Sequence, residues 1–272
     1  VTAAYVAEQM GLSFQCSYNA ACILQDKSRF RQFLKDNNFN VPNAKGYSSK
    51  EAALADTEYY NWPVIVKPVD SAGSKGVMRV DEISALPSAI DYALSESHNG
   101  HFIIEDFLEK EGYSSDCDSF TVDGELVFCS FNDQHFDPKA INPYTPAAFS
   151  WPSTMPQWAQ EELRSELQRL MTLLNVKTGV YNIETRLCKN GKPYIMELSP
   201  RGGGNRLSEM MKYVSGQDLI DSCVRAAVGD PIDEIHRPIY DGYWAEIILH
   251  SECDGVFQSI EIDKTVEERF LI

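Results

Sequence analysis

The sequence predicts an α+β fold, on two observations. Strand patterns arrive as hairpins, one turning at the Asp-Gly pair 123–124 and one at the Asn-Gly pair 190–191, and helical patterns lie between them. Hairpins give antiparallel strands, whereas a doubly wound parallel sheet needs a helix after nearly every strand. The 272-residue chain is long enough to bury a core and to form two lobes.

The first part of the chain predicts short helices and strands. Asp26 is placed as the N-cap of a helix that reaches about Asn38, and Ser48 or Ser49 with Glu51 begins a shorter helix. The other segments before residue 108 are strands at 64–66, 77–80 and 102–107 and a helix near 84–96.

The second part of the chain predicts longer elements. A hairpin is expected over 116–131, followed at 135–156 by an irregular stretch rich in Pro, Ser and Thr that is typical of a long functional loop. Pro156 then opens an amphipathic helix whose apolar side is expected to carry Trp158, Leu163, Leu167, Leu170, Met171 and Leu174. The last elements expected are a hairpin at 178–199, helices near 205–213 and 217–228, and a strand at 243–250.

The composition argues against several classes of partner. The formal net charge is −16, which repels nucleic-acid backbones and anionic lipid surfaces, so neither is expected to bind. No apolar run approaches the roughly 20 residues that span a bilayer. The seven cysteines are scattered without a C-x-x-C pair, which favours free thiols and a cytoplasmic location.

The hairpin at 178–199 carries the strongest chemical signal. If the Asn-Gly pair 190–191 forms a two-residue type I′ turn, Lys189 faces Lys192, and Glu184 lies directly opposite Glu197. Directly opposed residues have Cβ atoms about 4.5–5.5 Å apart, so two carboxylates there repel each other. The pair therefore suggests a divalent cation, since Mg²⁺ prefers carboxylate oxygens and also bridges phosphates.

The rest of this hairpin extends the same two faces. Asn182 is expected opposite Ser199, and Arg186 projects on the same polar face as the two glutamates. The other face is expected to be core, with Ile183, Leu187, Tyr194, Met196 and Leu198. A solvent-exposed sheet face, on which Arg186 offsets part of the repulsion, is the alternative to a metal site.

Two glycine-containing segments are candidate anion sites. Residues 199–206 place two arginines and three glycines just after the carboxylates, and such segments let a backbone approach a ligand while arginines bind carboxylate or phosphate oxygens. The loop 71–77 follows Lys67, which ends an apolar strand, and can present N–H groups, a hydroxyl and an ammonium. The alternative for residues 199–206 is a flexible turn, and the alternative for the loop 71–77 is an ordinary hairpin loop. The alternative for Lys67 is a side chain that extends from the sheet to solvent.

The order of these segments resembles the ATP-grasp superfamily along nearly the whole chain. The matching segments, in order, are Asp26-Lys27, Val66-Lys67-Pro68, the loop 71–77, the strand and hinge 103–108, Asn182-Ile183-Glu184 and the run 197–203. The resemblance implies an ATP-grasp fold, in which two α+β lobes hold ATP between them. It also implies a large lobe of residues 26–61 and 108–272, a small lid lobe of residues 62–107, and residues 1–25 as a remnant or linker from a missing N-terminal domain.

The resemblance further implies roles for individual residues. Lys27 and Lys67 would contact phosphates, and a lid loop would close over them through Gly73, Ser74, Lys75 and Gly76. The hinge would face the adenine through Glu105, Asp106, Phe107 and Leu108. Mg²⁺, with Mn²⁺ as a substitute, would be held by Glu184, Glu197 and Ser199. The family usually has Asn where Ser199 stands, and an acid for the ribose just after the hinge, a role that Glu111 or Glu109 would take here.

The implied reaction is that of an ATP-dependent ligase. It activates a substrate carboxylate as an acyl phosphate, with ADP formed, for attack by an amine or similar nucleophile. Glu197 and Arg201 would act in catalysis, and Arg186, Arg201, Asn205, Arg206 and His135 are candidates for substrate contact. A carboxylase or carbamoyl-phosphate-type enzyme acting on bicarbonate and a silent ATP-binding regulatory protein are the alternatives, and a homodimer is a further expectation.

Overall fold

The computed structural model describes residues 1–140, 142–251, 254–267 and 269, so Cys253 lies outside the described residues. The helices in this part of the chain are α1 (Thr2–Met10), α2 (Tyr18–Gln25), α3 (Lys27–Asp36), α4 (Lys50–Ala55), α5 (Leu86–Ser95), α6 (Gln157–Leu173), α7 (Leu207–Ser215), α8 (Leu219–Val228) and α9 (Lys264–Glu267). The strands are β1 (Ala44–Tyr47), β2 (Val64–Pro68), β3 (Met78–Val80), β4 (Phe102–Asp106), β5 (Lys110–Val122), β6 (Glu125–Cys129), β7 (Asp133–Phe136), β8 (Pro146–Trp151), β9 (Gly179–Cys188), β10 (Pro193–Ser199) and β11 (Trp244–Ile247). The predicted α+β class is confirmed.

The smaller sheet is antiparallel and has the strand order β1-β4-β2-β3. Alternate residues of β2 are buried, with Val64 and Val66 facing α5, whose Ile90 is fully buried in the same cluster. Pro87 lies in the first turn of α5, where a missing N–H costs nothing. This sheet forms one wall of the cleft described below.

The boundary expected at residue 62 is wrong for the segment before it. β1 pairs with β4, with Tyr47 opposite Phe102, so it belongs to the smaller sheet. Ala53 and Tyr60 are buried in the core of the same sheet. The smaller unit therefore runs from about residue 44 to 106, because β1 joins it through a pairing that is distant in sequence.

The larger sheet has the strand order β10-β9-β5-β7-β8-β11, with β6 also paired to β5. The amphipathic helix α6 packs on it, with Leu163, Leu167 and Leu170 buried against strand residues such as Ile183. Trp158, expected on the same apolar side, is instead 52% exposed. Residues 1–25 include α1 and α2, and Ala4, Ala20, Ala21 and Leu24 of these helices are buried in this same core.

A second apolar cluster joins α7 and α8 to the larger sheet. Met211 of α7 and Leu219 of α8 are buried with Phe120 and Phe149. Phe149 belongs to β8, so the expectation of an irregular loop over 135–156 is wrong for residues 146–151. The Pro-, Ser- and Thr-rich composition of that stretch masks a strand whose Phe149 and Trp151 are almost completely buried.

Candidate functional site

A cleft lies between the two sheets. It is open to solvent and has an empty volume of about 440 Å³. Its lining comes from α3, the smaller sheet, the connection after β4 and the β9–β10 hairpin: Lys27, Arg31, Ile65, Lys67, Glu105, Asp106, Phe107, Leu108, Glu184, Arg186, Met196 and Glu197. The structure thus brings together most of the residues that the sequence predicts for nucleotide and metal binding.

A buried charge cluster forms the floor of the cleft. Glu105 is 1% exposed, and its Oε2 lies 2.8 Å from Nζ of Lys67. Its Oε1 lies 2.9 Å from Nε of Arg31, an ion pair that is not angled as a hydrogen bond. Arg31 also donates from one terminal nitrogen to the Met196 carbonyl at 2.8 Å. One carboxylate is therefore opposed by two cations in a water-poor place.

The electrostatics of this cluster favour a charged carboxylate. Burial opposes the ionisation of Glu105, yet the charges of Arg31 and Lys67 hold its pKa at about 2. Burial lowers the pKa of Lys67, against the attraction of Glu105. With two cations beside one anion, the floor of the cleft carries an excess of positive charge, which suits a phosphate group.

Lys27 brings a third cation to the cleft. It is the first residue of α3, whose N-cap Asp26 accepts a hydrogen bond from the Arg29 N–H, as the sequence predicts. Its Nζ donates to the Ser71 carbonyl at 2.9 Å and lies 3.7 Å from Oε2 of Glu197. Lys27 therefore links the start of the glycine loop to the carboxylates on the opposite wall.

The predicted pairing of the two glutamates is confirmed, but the predicted turn is wrong. Glu184 is the cross-strand partner of Glu197, and Asn182 is the partner of Ser199. Nearer the turn, the Cys188 N–H donates to the Lys192 carbonyl at 3.0 Å, so Lys189 does not face Lys192.

An irregularity between Ile195 and Glu197 restores the register. It also changes the faces of β10. Tyr194 pairs with Arg186 on the polar face, whereas Ile195 joins the core of the larger sheet. Tyr194 and Met196 instead form a small cluster with Cys188 and Leu108, so their assignment to the main core is wrong.

Two aspartates missed by the sequence analysis stand beside the glutamates. Asp116 is the β5 partner of Glu184, and Asp118 is the partner of Asn182. Asn182 donates to Asp116 at 2.8 Å and to Asp118 at 3.2 Å. Burial, and then repulsion by Glu184, raises the pKa of Asp116 to about 7. Asp116 and Asp118 alternate along β5 as Asn182, Glu184 and Arg186 do along β9. A predicted pairing of these two strands would therefore have placed the aspartates on the same polar face.

Asp118 also fixes the glycine run. It accepts hydrogen bonds from the Gly203 N–H at 2.7 Å and from the hydroxyl of Ser208. A Cβ on Gly203 would meet the side-chain ends of Leu207 and Asn182 at 2.6 and 2.7 Å, so a larger residue there would displace both side chains. The run is thus a packed turn between β10 and α7 rather than a free flexible segment.

The hinge after β4 is partly committed to internal hydrogen bonds. The Asp106 N–H donates to the Asn43 carbonyl at 2.9 Å, and its carboxylate accepts from Asn61 at 2.9 and 2.7 Å. Phe107 donates to the Pro63 carbonyl at 2.9 Å. Among the described residues, the Leu108 N–H has no hydrogen-bond partner. Leu108 is therefore the hinge residue best placed to donate to a ligand.

The predicted lid loop does not line the cleft in this structure. Gly73, Ser74 and Gly76 have positive φ angles of 67°, 58° and 71°, so the loop depends on its glycines. The Ser74 hydroxyl donates to the Tyr144 carbonyl at 3.1 Å, and Asn142 donates to the Ser74 carbonyl at 3.2 Å. The loop thus contacts the long loop after β7, and Lys75 is exposed.

The predicted substrate residues are dispersed. Arg186 lines the cleft, where it donates to Ser114 at 3.1 Å and lies 3.5 Å from Glu184. Arg201 is exposed and bonded to the Gly202 carbonyl. The others lie outside the cleft lining: Arg206 pairs with Glu209, His135 is 2.9 Å from the Ser150 hydroxyl, and Asn205 is exposed. Glu111, predicted to contact the ribose, is also exposed and outside the lining.

Glu184 and Glu197 are the candidate ligands of Mg²⁺. The described side chains include no group of three or more Asp, Glu, His or Cys that could hold a metal. Mg²⁺ is commonly held by one or two carboxylates together with substrate phosphates. Glu184 and Glu197 are 32% and 37% exposed at the cleft, and Ser199 donates to Glu197 at 3.4 Å. The pair therefore fits a Mg²⁺ ion that arrives with a nucleotide.

Comparisons with known proteins agree with this geometry. A family model of the ATP-grasp domain matches residues 60–209, which is more than half of the chain. The C-terminal section of the carbamoyl phosphate synthase large chain from Aquifex aeolicus is 24% identical over 220 residues, which cover 80% of this chain and 39% of that relative. The chain thus spans well under half of this relative's length.

Two solved structures show a shared fold. The L-amino acid ligase from Bacillus licheniformis aligns with a TM-score of 0.69 at 22% identity, over 84% of this chain and 53% of its own. The second structure is the biotin carboxylase domain dimer of Hydrogenobacter thermophilus 2-oxoglutarate carboxylase in complex with MgADP, ADP and bicarbonate. It aligns with a TM-score of 0.72 at 17% identity, over 90% of this chain and 54% of its own.

Within the described part of this chain, every helix is too short or too polar to cross a membrane.

Proposed function

Because the chain belongs to the ATP-grasp family, we propose that it binds ATP in the cleft between its two sheets and activates a substrate carboxylate as an acyl phosphate. The observation that carries the proposal is the placement of opposite charges on the two walls. Lys67 and Arg31 lie on the floor around Glu105, and Glu184 and Glu197 lie across the cleft. This arrangement is suited to a polyphosphate with its metal.

ATP is proposed to lie with its phosphates toward Lys27 and Lys67. Each ammonium is held by oxygen atoms of the protein, so each is positioned before a ligand arrives. The adenine is proposed to contact the hinge through the Leu108 N–H and the Asp106 carbonyl. The glycine loop would then move from its contact with the long loop to cover the phosphates with Gly73, Ser74, Lys75 and Gly76, and Glu111 would contact the ribose.

Glu184, Glu197 and the Ser199 hydroxyl are proposed as the protein ligands of Mg²⁺. When bound, the ion would neutralise phosphate charge and so favour phosphoryl transfer. Ser199 offers a hydroxyl oxygen, which is a weaker ligand than a carboxylate. Its hydrogen bond to Glu197 positions that carboxylate toward the cleft.

The proposed reaction has two steps. A carboxylate oxygen of the substrate attacks the terminal phosphorus of ATP, and the bond to ADP breaks. A nucleophile, most simply an amine that loses a proton, then attacks the carbonyl carbon, so that a C–N bond forms and phosphate leaves. Arg201 is proposed to contact the transferred group, and Arg186, Asn205, Arg206 and His135 to contribute to substrate selection.

The location and assembly are also proposals. The six described cysteines are free, as expected of a protein in the reducing cytoplasm. A homodimer is proposed by analogy with the biotin carboxylase domain dimer, whose fold the chain shares.

The experiment that tests the function is substrate-dependent phosphate release. The natural polypeptide that contains this chain is incubated with Mg-ATP and pools of small carboxylates and amines. Release of ADP and phosphate that requires both partners is the expected result. Release with bicarbonate alone would instead support a carboxylase or carbamoyl-phosphate-type enzyme. Tight ATP binding without release from any pool would favour a regulatory protein.

A further inference from the structure

A second groove adjoins the nucleotide cleft at Arg31 of α3. It runs between α3 and β1, and we call it the α3–β1 groove. It is open to solvent and has a cavity volume of about 470 Å³, which is in the size range of small-molecule sites. The hydrogen-bonding and charged side chains that line it include those of Ser28, Arg31, Gln32, Lys35 and Lys45.

The charge of the α3–β1 groove is opposite to that of the whole chain. Arg31, Lys35 and Lys45 line it, and none of its described lining residues is acidic, whereas the chain carries a net charge of −16. Lys45 is paired with Asp56. Lys35 is exposed and has no ion-pair partner among the described residues. The groove is therefore a local site of positive charge that can attract an anion.

Hydrogen-bond donors accompany these charges. The Ser28 hydroxyl makes no hydrogen bond within the described part of the chain. A Cβ built on Gly46 would lie 2.2 Å from this hydroxyl, so α3 and β1 are in contact at this point of the groove. Gln32 is held by Asp36, to which its amide donates at 2.7 Å. The free hydroxyl and the unpaired Lys35 ammonium suit carboxylate or phosphate oxygens.

Arg31 connects the groove to the nucleotide cleft, because it lines both. Its side chain is only 4% exposed, and its Nε lies beside Glu105 without a hydrogen bond. An anion in the groove would attract the same guanidinium that offsets the charge of Glu105. Glu105 would then hold Lys67 more strongly, and Lys67 would be less available to a phosphate.

We propose that the α3–β1 groove binds a small organic anion bearing carboxylate or phosphate groups, and that its occupancy weakens nucleotide binding in the cleft. The second clause rests on the proposed function, and the first does not. Binding equilibria are reciprocal, so nucleotide must weaken anion binding by the same factor. The groove is then an inhibitory site for an anionic metabolite.

The first test is calorimetric titration without nucleotide or Mg²⁺, at constant ionic strength. The probes are succinate, inorganic phosphate and the neutral control succinamide. Succinate or phosphate is expected to saturate a single site, and the tighter of the two identifies the preferred group. Lys35→Gln should weaken that binding by up to about fivefold, as expected for the loss of an exposed charge.

A matched control removes the same charge elsewhere. Lys50 pairs with Asp91 at 2.6 Å and does not line the groove, so Lys50→Gln should leave anion binding unchanged. Thermal unfolding confirms that both variants fold. Failure of both anions to saturate, or equal losses in the two variants, would overturn the proposal.

The second test measures ATP affinity with and without the saturating anion. ATP binding is expected to weaken about threefold or more in the wild type and much less in Lys35→Gln. Simple competition at the cleft would persist in Lys35→Gln, so that outcome would overturn the coupling. If ATP does not bind at all, the proposed function fails, while the anion titration still decides whether the groove is a site.

Discussion

The Nζ atom of Lys67 lies 2.8 Å from Oε2 of Glu105, on the floor of the cleft between the two sheets. Glu105 is almost fully buried and also faces Arg31. Its carboxylate therefore holds Arg31 and Lys67 in place on the floor of the cleft. The resemblance to the family assigned Glu105 only to the hinge that faces the adenine. Four predictions concern this cleft, and a fifth concerns Glu246 on β11.

Replacement of Glu105 by Gln should destabilise the protein. The change leaves Arg31 and Lys67 buried without their shared counterion, and breaking such a pair costs about 3–5 kcal/mol. Urea unfolding measures the loss. The matched control is Glu109→Gln, which removes an exposed pair with Lys189 and should change the free energy of unfolding by less than about 1 kcal/mol. Equal effects in the two variants would contradict the buried cluster.

The same residue predicts a pH dependence. The pKa of Glu105 is about 2 in the folded protein, below its ordinary value of 4.5. Its stabilising contribution is therefore complete above pH 4.5 and is lost as the pH falls toward 2. Unfolding free energies measured at pH 6, 4 and 3 should decline more steeply in the wild type than in Glu105→Gln. If the unfolding free energies of the wild type and Glu105→Gln declined in parallel, the ionisation of Glu105 would not be a source of this pH dependence.

Lys67 and Lys75 should differ in their contribution to nucleotide binding. Lys67 lines the cleft, whereas Lys75 is exposed on the glycine loop. Loss of a charged hydrogen bond costs about 1.5–3 kcal/mol, so Lys67→Met should weaken ATP binding by roughly 10- to 150-fold. An exposed charge contributes about 1 kcal/mol or less, so Lys75→Met should weaken binding by about fivefold at most. Titration of both variants with ATP measures the two losses of affinity. A larger loss in Lys75→Met than in Lys67→Met would contradict the assignment of Lys67 as the main phosphate contact of the two.

Glu197→Gln should remove Mg²⁺-dependent turnover. The substitution keeps the shape of the side chain but removes one of the two opposed carboxylates, so phosphate release should fall by roughly 100-fold or more. Glu125→Gln, at an exposed position of β6, serves as the control and should retain activity. Retention of Mg²⁺-dependent ATP consumption in Glu197→Gln would exclude this residue as a metal ligand.

Glu246 on β11 predicts a pH effect of opposite sign. Burial raises its pKa from 4.5 to about 7, and its Oε2 is buried without a partner among the described residues. A raised pKa stabilises the protein below pH 4.5, and this contribution is lost as the pH rises through 7. Glu246→Gln should therefore unfold less readily than the wild type at pH 8, unlike the exposed control Glu234→Gln. No gain at pH 8 would contradict the raised pKa.

The β9–β10 hairpin shows what local sequence can predict. The partner of Glu184 follows from the alternation of side chains and the nearby Asn-Gly pair, and it is correct. The turn and the irregularity before Glu197 each shift the register by one residue, in opposite directions. Their effects cancel at the glutamates but not at Tyr194, because a bulge depends on packing that a short sequence window does not contain.

Of the residues that the sequence analysis missed in the cleft, one could have been found locally and the others depend on strand pairings that are distant in sequence. Arg31 lies one helical turn after Lys27, so an i,i+4 reading of α3 could have found it. Asp116 meets Glu184 only because β5 pairs with β9, and β1 joins the smaller sheet in the same non-local way. The strands of a hairpin follow from local sequence, whereas the order of strands across a sheet does not, because that order depends on the packing of the whole core.

The most direct measurement of the central claim is oxygen-isotope transfer from carboxylate to phosphate. A substrate found in the release assay is labelled with ¹⁸O in its carboxylate, and the phosphate produced with Mg-ATP is examined by mass spectrometry. An acyl phosphate carries a substrate oxygen on phosphorus, so the account predicts that the released phosphate contains one ¹⁸O atom. Unlabelled phosphate would contradict the account, because it would mean that water, and not the carboxylate, had attacked ATP.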